Sequence, residues 1–162
     1  MRTLMWFRND LRVEDNPALH AARRAGSDGM LAVFVFSPEQ WREHDMADVR
    51  AEFVRRSVAD VSEQLAAREI ALRILLVDRF ADVPAAIAAL AREQGCEQVH
   101  ANAEYEVNEV RRDEATDTRL AADGRVLHLH HDQCILPPGT VRTGGDGFYS
   151  VFTPFKRNVL AQ

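Results

Sequence analysis

The most constraining feature of this sequence is a regular alternation between short apolar runs and longer amphipathic stretches. Residues 30–36 read MLAVFVF, an apolar run rich in β-branched and aromatic residues that is typical of a buried strand. Between Val54 and Leu65, apolar residues recur at intervals of four, three and four, which is the spacing of one helical face. The same criteria predict strands at 4–7, 30–36, 72–77, 98–102 and 126–129, and helices from Pro17, over 48–68, around 83–90 and over 107–122.

Strands that alternate with helices of roughly 10 to 20 residues predict βαβ units. We therefore predict an α/β fold in which a five-stranded parallel sheet carries helices on both faces. Asn16 and Pro17 support a helix that begins at Pro17. Asparagine often caps helix N-termini, and proline suits the first helical position because the backbone N–H that it lacks would have no partner within the helix.

Residues 131–162 do not share this pattern. They show no convincing periodicity, only turn-forming proline and glycine, yet they carry several large apolar side chains, among them Phe148, Phe152 and Phe155. A long structureless stretch is unusual inside a compact domain. We predict a boundary between 1–130 and 131–162, with the second part a linker whose apolar side chains pack against a continuation of the polypeptide.

Composition excludes several classes of function. The net charge of -5 argues against a domain that grips DNA by itself, since such a domain needs a basic patch. No apolar stretch approaches the ~20 residues that span a bilayer, and the apolar run after Met1 is too short for a secretory signal, so the cytoplasm is the expected compartment. Cys96 and Cys134 have no metal or disulfide spacing and are predicted to be small core residues.

In an open parallel sheet, ligands bind at the carboxyl ends of the strands, which here are followed by loops 8–15, 37–47 and 103–108. We expect the second loop to be irregular. The first contains no glycine, so the dinucleotide fingerprint and the Walker motif are both absent, and a self-sufficient NAD or ATP site is not expected. Arg8, Asp10 and Arg12 could hold a phosphate, but the residues favour an Arg–Asp bridge that ties down the loop.

Two further groups of residues have a functional and a structural interpretation. Asn108 and Glu109 together could read an amino-pyrimidine edge, but they also suit the first turn of a helix, which the residues alone favour. His44 could stack on a ligand or simply be solvated. His128 and His130 alternate onto one face of the last strand, but no further ligand with suitable spacing supports a metal site there. No catalytic constellation is apparent, so neither catalytic residues nor a metal site is predicted.

Three segments resemble the photolyase/cryptochrome family. They are WFRNDLR at 6–12 followed by DNPAL at 15–19, YEVNE at 105–109 with Arg112-Asp113, and VFTPFK at 151–156. The second of these is similar to the folate-antenna branch of the bacterial cyclobutane pyrimidine dimer photolyases. Together the segments run through the whole chain in order.

The resemblance implies a Rossmann-like N-terminal domain that binds a light-harvesting chromophore, methenyltetrahydrofolate in this branch. It also implies that His44, Asn108 and Glu109 contact the folate, although the residues alone favoured a structural role for the last two. Met46 and Arg50 fall where relatives with a deazaflavin build a deeper pocket, which is a weaker alternative here.

For the full-length enzyme, the resemblance implies FAD in a helical C-terminal domain and light-driven splitting of pyrimidine dimers flipped out of UV-damaged DNA. The FAD-binding and DNA-binding residues would lie beyond Gln162, as would part of the folate pocket. The chain alone is therefore expected neither to repair DNA nor to bind it tightly. The alternatives are a cryptochrome-type photosensor domain and a stand-alone nucleotide- or flavin-binding domain.

Overall fold

A computed structural model describes all 162 residues. It contains five strands and six α-helices, with one 3₁₀ turn at Phe80–Asp82. In chain order the elements are β1 (Arg2–Phe7), α1 (Pro17–Ala25), β2 (Met30–Phe36), α2 (Pro38–Glu43), α3 (Asp48–Ala66), β3 (Leu72–Leu76), α4 (Val83–Glu93), β4 (Cys96–Asn102), α5 (Val107–Ala122), β5 (Val126–His130) and α6 (Phe152–Val159).

The five strands form one parallel sheet in the order β3-β2-β1-β4-β5. One apolar cluster joins this sheet to α4 and α5, and a second cluster joins it to α1 and α3. Helices therefore cover both faces, and the predicted fold class is confirmed. The order of the strands reverses at β1, so the connections from β1 and β4 leave in opposite directions and open a crevice at their carboxyl ends.

The first βα unit shows how local sequence sets the geometry near this crevice. The Asn16 side chain accepts a hydrogen bond from the Leu19 backbone N–H at 3.0 Å, and Pro17 occupies the first turn, as predicted. Thr3 in β1 donates its hydroxyl proton to the Ala22 carbonyl at 2.9 Å. These contacts fix α1 against the sheet directly below the first loop.

Three local predictions were wrong. The stretch 37–47 is not irregular throughout, because a helix of six residues, α2, begins at Pro38. The tail also contains a helix, α6, in which Phe152, Phe155 and Val159 recur at helical spacing, a period that the sequence analysis did not recognise. Cys134 is exposed, whereas Cys96 is buried as predicted, at the start of a strand that begins two residues earlier than expected.

The chain divides into two compact units, Met1–His130 and His131–Gln162. Within the second unit, the Asn158 side chain donates hydrogen bonds to the Arg142 carbonyl at 3.0 Å and the Tyr149 hydroxyl at 2.9 Å. Most of its large apolar side chains are exposed: Ile135, Phe148, Val151, Phe152 and Leu160. No helix of the chain has the length and apolar character needed to cross a membrane.

Candidate functional site

The main cavity of the first unit is an open cleft of about 840 Å³ at the carboxyl ends of the strands. Its walls come from the ends of β1 and β2, the loops that follow β1 and β4, and the first turns of α3 and α5. Trp6 and Phe7 of the central strand contribute buried aromatic surface to the cleft. A cavity of this size, lined by both apolar and polar side chains, suits a small organic ligand with polar groups of its own.

The three residues predicted to bind a chromophore all line this cleft. His44 lies at the C-terminal end of α2, and Asn108 and Glu109 lie in the first turn of α5, about 65 positions further along the chain. His44 and Asn108 are exposed and Glu109 is half-buried. The side chains of Asn108 and Glu109 make no hydrogen bond or ion pair within the chain, so their polar groups are available to a ligand.

Met46 and Arg50, the residues of the alternative deazaflavin pocket, also line the cleft. They lie beside Trp41 and Phe53, two aromatic residues to which the sequence analysis assigned no role. Trp41 packs edge-on against Phe36 with ring centroids 5.6 Å apart, whereas Phe53 is 69% exposed. This side of the cleft therefore offers flat apolar surface for a ring system.

Beneath the cleft lies a buried network of two arginines and two carboxylates. Arg8 donates from Nη1 to both carboxylate oxygens of Asp113, at 2.6 and 2.7 Å. Arg112 donates to Asp113 and, at 2.9 Å, to Glu104 Oε2. All four residues are less than 9% exposed, and the two guanidinium carbons lie 5.0 and 4.8 Å from the centroid of the Trp6 ring. The network joins β1, α5 and the loop after β4 into one rigid floor.

The predicted Arg–Asp bridge thus exists, but the partner of Arg8 is Asp113 of α5 and not Asp10 of its own loop. Asp10 instead accepts hydrogen bonds from the Arg8 backbone N–H at 2.7 Å and from the Asn102 side chain at 2.6 Å. Asn102 also accepts from the Ala18 backbone N–H at 3.0 Å. The loop after β1 is therefore held by hydrogen bonds to the end of β4, because these two strands are neighbours in the sheet.

The comparison with protein families decides the relationship. The model of the DNA photolyase family matches residues 3–162. The chain belongs to the DNA photolyase family. A curated relative, the deoxyribodipyrimidine photo-lyase of Vibrio cholerae, is 40% identical over 154 residues, which cover 95% of this chain and 33% of the relative. The chain thus spans about a third of the length of the curated relatives it matches.

Solved structures of the family share the fold. A bacterial class III photolyase from Agrobacterium tumefaciens superposes with a TM-score of 0.78 at 25% identity, over 99% of this chain and 32% of that protein. An archaeal photolyase from Sulfolobus tokodaii, described as containing two FAD molecules and implying a novel light-harvesting cofactor, gives a TM-score of 0.74 at 19% identity, over 100% of this chain and 35% of that protein. The chain corresponds to the N-terminal α/β domain of these photolyases.

Sequence reasoning missed the buried network and the aromatic side of the cleft. Arg112 and Asp113 were noted only as part of a motif, although two opposite charges on the inner side of an amphipathic helix are a signal for a buried ion pair. Glu104 gave a similar signal, because it lies two residues after the end of β4, in a predicted ligand loop. Which arginine each carboxylate meets depends on the order of the strands, and that order was not predicted.

Proposed function

We propose that this chain is the light-harvesting domain of a deoxyribodipyrimidine photolyase and that its cleft binds methenyltetrahydrofolate. The observation that carries the proposal is the convergence of His44, Asn108 and Glu109 on one open cleft. These residues come from two elements that are far apart in sequence, and they face the point where the strand order reverses, which is where open α/β sheets bind ligands.

The chemistry of the cleft suits a pterin ring. Glu109 offers a pure acceptor and Asn108 a donor and an acceptor, which together complement the amino-pyrimidine edge of a pterin. Trp41 supplies a flat apolar wall. When bound, the folate would supply absorption of near-ultraviolet light, and the protein residues would hold and orient it.

A second candidate chromophore is a flavin or deazaflavin, which would lie deeper beside Met46 and Arg50. Both residues line the same cleft, and Phe53 beside them presents an exposed ring. The unengaged Asn108 and Glu109 side chains favour folate, because a ligand confined to the other side of the cleft would leave them unused.

The remaining parts of the activity are proposed to lie outside this chain. Residues 131–162 serve in this proposal as the linker to a helical domain that binds FAD and recognises UV-damaged DNA, and the exposed apolar side chains of this segment suit such a partner. Since the chain has a net charge of -5, it should not hold DNA by itself. It should not repair DNA either, because the FAD-binding domain is proposed to lie outside the chain. A protein that acts on bacterial DNA is expected in the cytoplasm. A cryptochrome-type photosensor would use the same domain and would differ in the part beyond this chain.

Titration with methenyltetrahydrofolate tests the site directly. We expect weak uptake by this chain, measured by equilibrium dialysis and the near-ultraviolet absorbance of the bound folate, because part of the pocket is proposed to lie in another domain. Asn108→Ala and Glu109→Gln should each reduce the uptake. Glu114→Gln, an exposed substitution on the same helix, is the matched control and should bind like the parent chain.

Equal uptake by the Glu109→Gln and Glu114→Gln proteins would refute the folate contacts. Displacement of folate by flavin mononucleotide at lower concentration would favour the second candidate. In a gel-shift assay, tight and dimer-specific binding of irradiated DNA by this chain would contradict the proposed division of labour between the domains.

A further inference from the structure

Three histidines lie side by side on one face of the sheet, away from the cleft. In the pairing of β4 with β5, His100 stands opposite His128, and His130 stands opposite the residue two positions after His100. The His100 ring stacks on both partners, with centroids 4.8 Å from His128 and 5.4 Å from His130. We call these three residues the histidine stack. It holds the edge strand β5 to its only neighbour in the sheet.

The hydrogen bonds of His100 are complete when its ring is uncharged. Its Nε2 faces the Gln98 side-chain oxygen at 3.2 Å, and its Nδ1 faces Nε2 of His130 at 3.1 Å. With the Gln98 oxygen as acceptor, Nε2 of His100 carries the proton, and Nδ1 accepts the N–H of His130. A second proton on His100 would place two N–H groups against each other unless His130 moves its own proton to Nδ1, so protonation forces the hydrogen bond between the strands to rearrange.

The surroundings also oppose a charge on His100. The ring is 4% exposed, and Nε2 of the neighbouring His128 is buried without a hydrogen-bond partner. Burial, and then the proximity of His128 and His130, lower the pKa of His100 from 6.5 to about 4.

The helix that covers the stack brings no carboxylate to it, whereas the loop after β1 brings Asp10 to the same face, where Asp10 accepts a hydrogen bond from Asn102, the neighbour of His130 in the sheet. Helix α1, which packs over β4 and β5, contributes only His20, Arg23 and Arg24, and all three are exposed. In β1 the only ionisable side chain is Arg2, which donates to the Gln94 carbonyl. Other charged groups near these strands are Glu97, which is exposed and lies 3.9 Å from the N-terminal amine, Arg125, which donates to the Cys96 carbonyl, and Arg8, which donates to the Asn102 carbonyl.

We propose that the histidine stack is a proton-sensitive latch, which keeps β5 on the sheet at neutral pH and releases it in mild acid while the rest of the sheet stays folded. An edge strand paired on one side is the part of a sheet that opens most easily. The His130 carbonyl also accepts the Ala103 backbone N–H at 2.7 Å, and the next residue, Glu104, belongs to the cleft floor. Release of β5 would therefore loosen the backbone that leads into the cleft.

Hydrogen exchange of the whole chain at pH 7.5 and pH 5.0 tests the latch. If opening of β5 returns His100 to its ordinary pKa of 6.5 from about 4, the opening equilibrium should grow about 25-fold between these pH values. After correction for intrinsic exchange rates, the peptide 126–130 should lose protection by about this factor. The peptide 30–36, from the interior strand β2, should not change and serves as the internal reference.

Three variants identify the groups responsible. His100→Gln removes the titrating ring and should bring the pH effect on β5 close to one-fold. His128→Phe keeps a stacked ring, removes a buried nitrogen that has no partner, and should lower the pH effect below that of the parent chain. His20→Gln, an exposed substitution on α1, is the matched control and should keep the full effect.

Three results would overturn the proposal. One is unchanged protection of β5 at pH 5.0. Another is equal loss of protection in β2 and β5, which would mean acid unfolding of the entire unit. The third is a His128→Phe protein in which the protection of β5 depends on pH as strongly as in the parent chain. This measurement tests the proposal even if the His100→Gln protein does not fold.

Discussion

The charge balance of the buried network under the cleft can be tested with the substitution Asp113→Asn. Asp113 receives hydrogen bonds from both arginines, Arg8 at 2.6 and 2.7 Å and Arg112 at 2.8 and 3.0 Å. Asparagine has nearly the same shape, so the substitution leaves no cavity. It removes one of the two negative charges and leaves two buried guanidinium groups with Glu104 as the only remaining carboxylate.

The expected loss of stability is large because all the groups are buried. Breaking a buried ion pair by removing one partner typically costs about 3 to 5 kcal/mol, since an uncompensated charge remains in a poorly polar environment. A domain of this size is typically stable by about 5 to 15 kcal/mol. With a loss of about 4 kcal/mol and a urea dependence of about 2 kcal/mol per molar, the midpoint of unfolding should fall by about 2 M.

Urea unfolding followed by tryptophan fluorescence measures this midpoint, because Trp6 lies against both arginines. Asp117→Asn makes the same chemical change on the exposed side of the same helix and should shift the free energy of unfolding by no more than about 0.5 kcal/mol. The double variant Arg8→Met/Asp113→Asn restores the balance between positive and negative charge and should be more stable than Asp113→Asn alone. A loss below about 1 kcal/mol for Asp113→Asn, or losses that simply add in the double variant, would refute the reasoning.

Three other substitutions should lower the thermal unfolding midpoint, each for a different reason. Leu65→Ala empties a fully buried position in the cluster between α3 and the sheet and should cost about 2 to 5 kcal/mol. Gly26→Ala should lower the free energy of unfolding by about 1 to 3 kcal/mol, because the new Cβ would lie 2.7 Å from the hydroxyl of Thr3. An unchanged unfolding midpoint would show that β1 and α1 can move apart freely. Asn102→Ala removes the amide side chain that accepts a hydrogen bond from the Ala18 backbone N–H and donates one to the Asp10 carboxylate. The loss of these two hydrogen bonds should lower the free energy of unfolding by about 1 to 3 kcal/mol. A loss near zero would mean that water replaces the Asn102 side chain.

The fold was predictable because its elements are locally consistent. The 30–36 run and the four-three-four spacing of α3 each allow one structure, and the alternation of strands and helices then allows only a parallel sheet with covered faces. Helix α1 was predictable to its first residue, since Asn16 and Pro17 mark the start through backbone chemistry that needs no distant partner. The same local logic failed for α2, whose six residues are too short to display a period of 3.6 residues, and for α6, whose apolar period is brief, includes Pro154 and follows a glycine-rich stretch.

The site was predictable only where a single element decides the outcome. Alternation along β5 correctly placed His128 and His130 on one face. Alternation along β5 could not reveal His100, which belongs to β4. The His100 ring contacts His128 and His130 because of the register between β4 and β5, and a register cannot be read from either strand alone. Arg8 was misassigned to Asp10 for the same reason: its partner is 105 residues away and becomes adjacent only once the strand order is known.

The polar residues around the cleft fall into two groups, and the division bears on what the cleft can hold. Arg8 and Arg112 pair with Glu104 and Asp113, so the four residues give the floor rigidity without leaving a net charge, and only Nε of Arg8 lacks a hydrogen-bond partner among their buried side-chain atoms. A floor neutralised in this way neither attracts an anion strongly nor repels an apolar ring, and recognition falls to side chains with no partner in the fold. Asn108 and Glu109 are such side chains, and in the proposed site they would hold a ligand through hydrogen bonds, those of Glu109 being made by a carboxylate. This arrangement suits a heterocycle with a donor-rich edge, which is the feature that the folate titration tests.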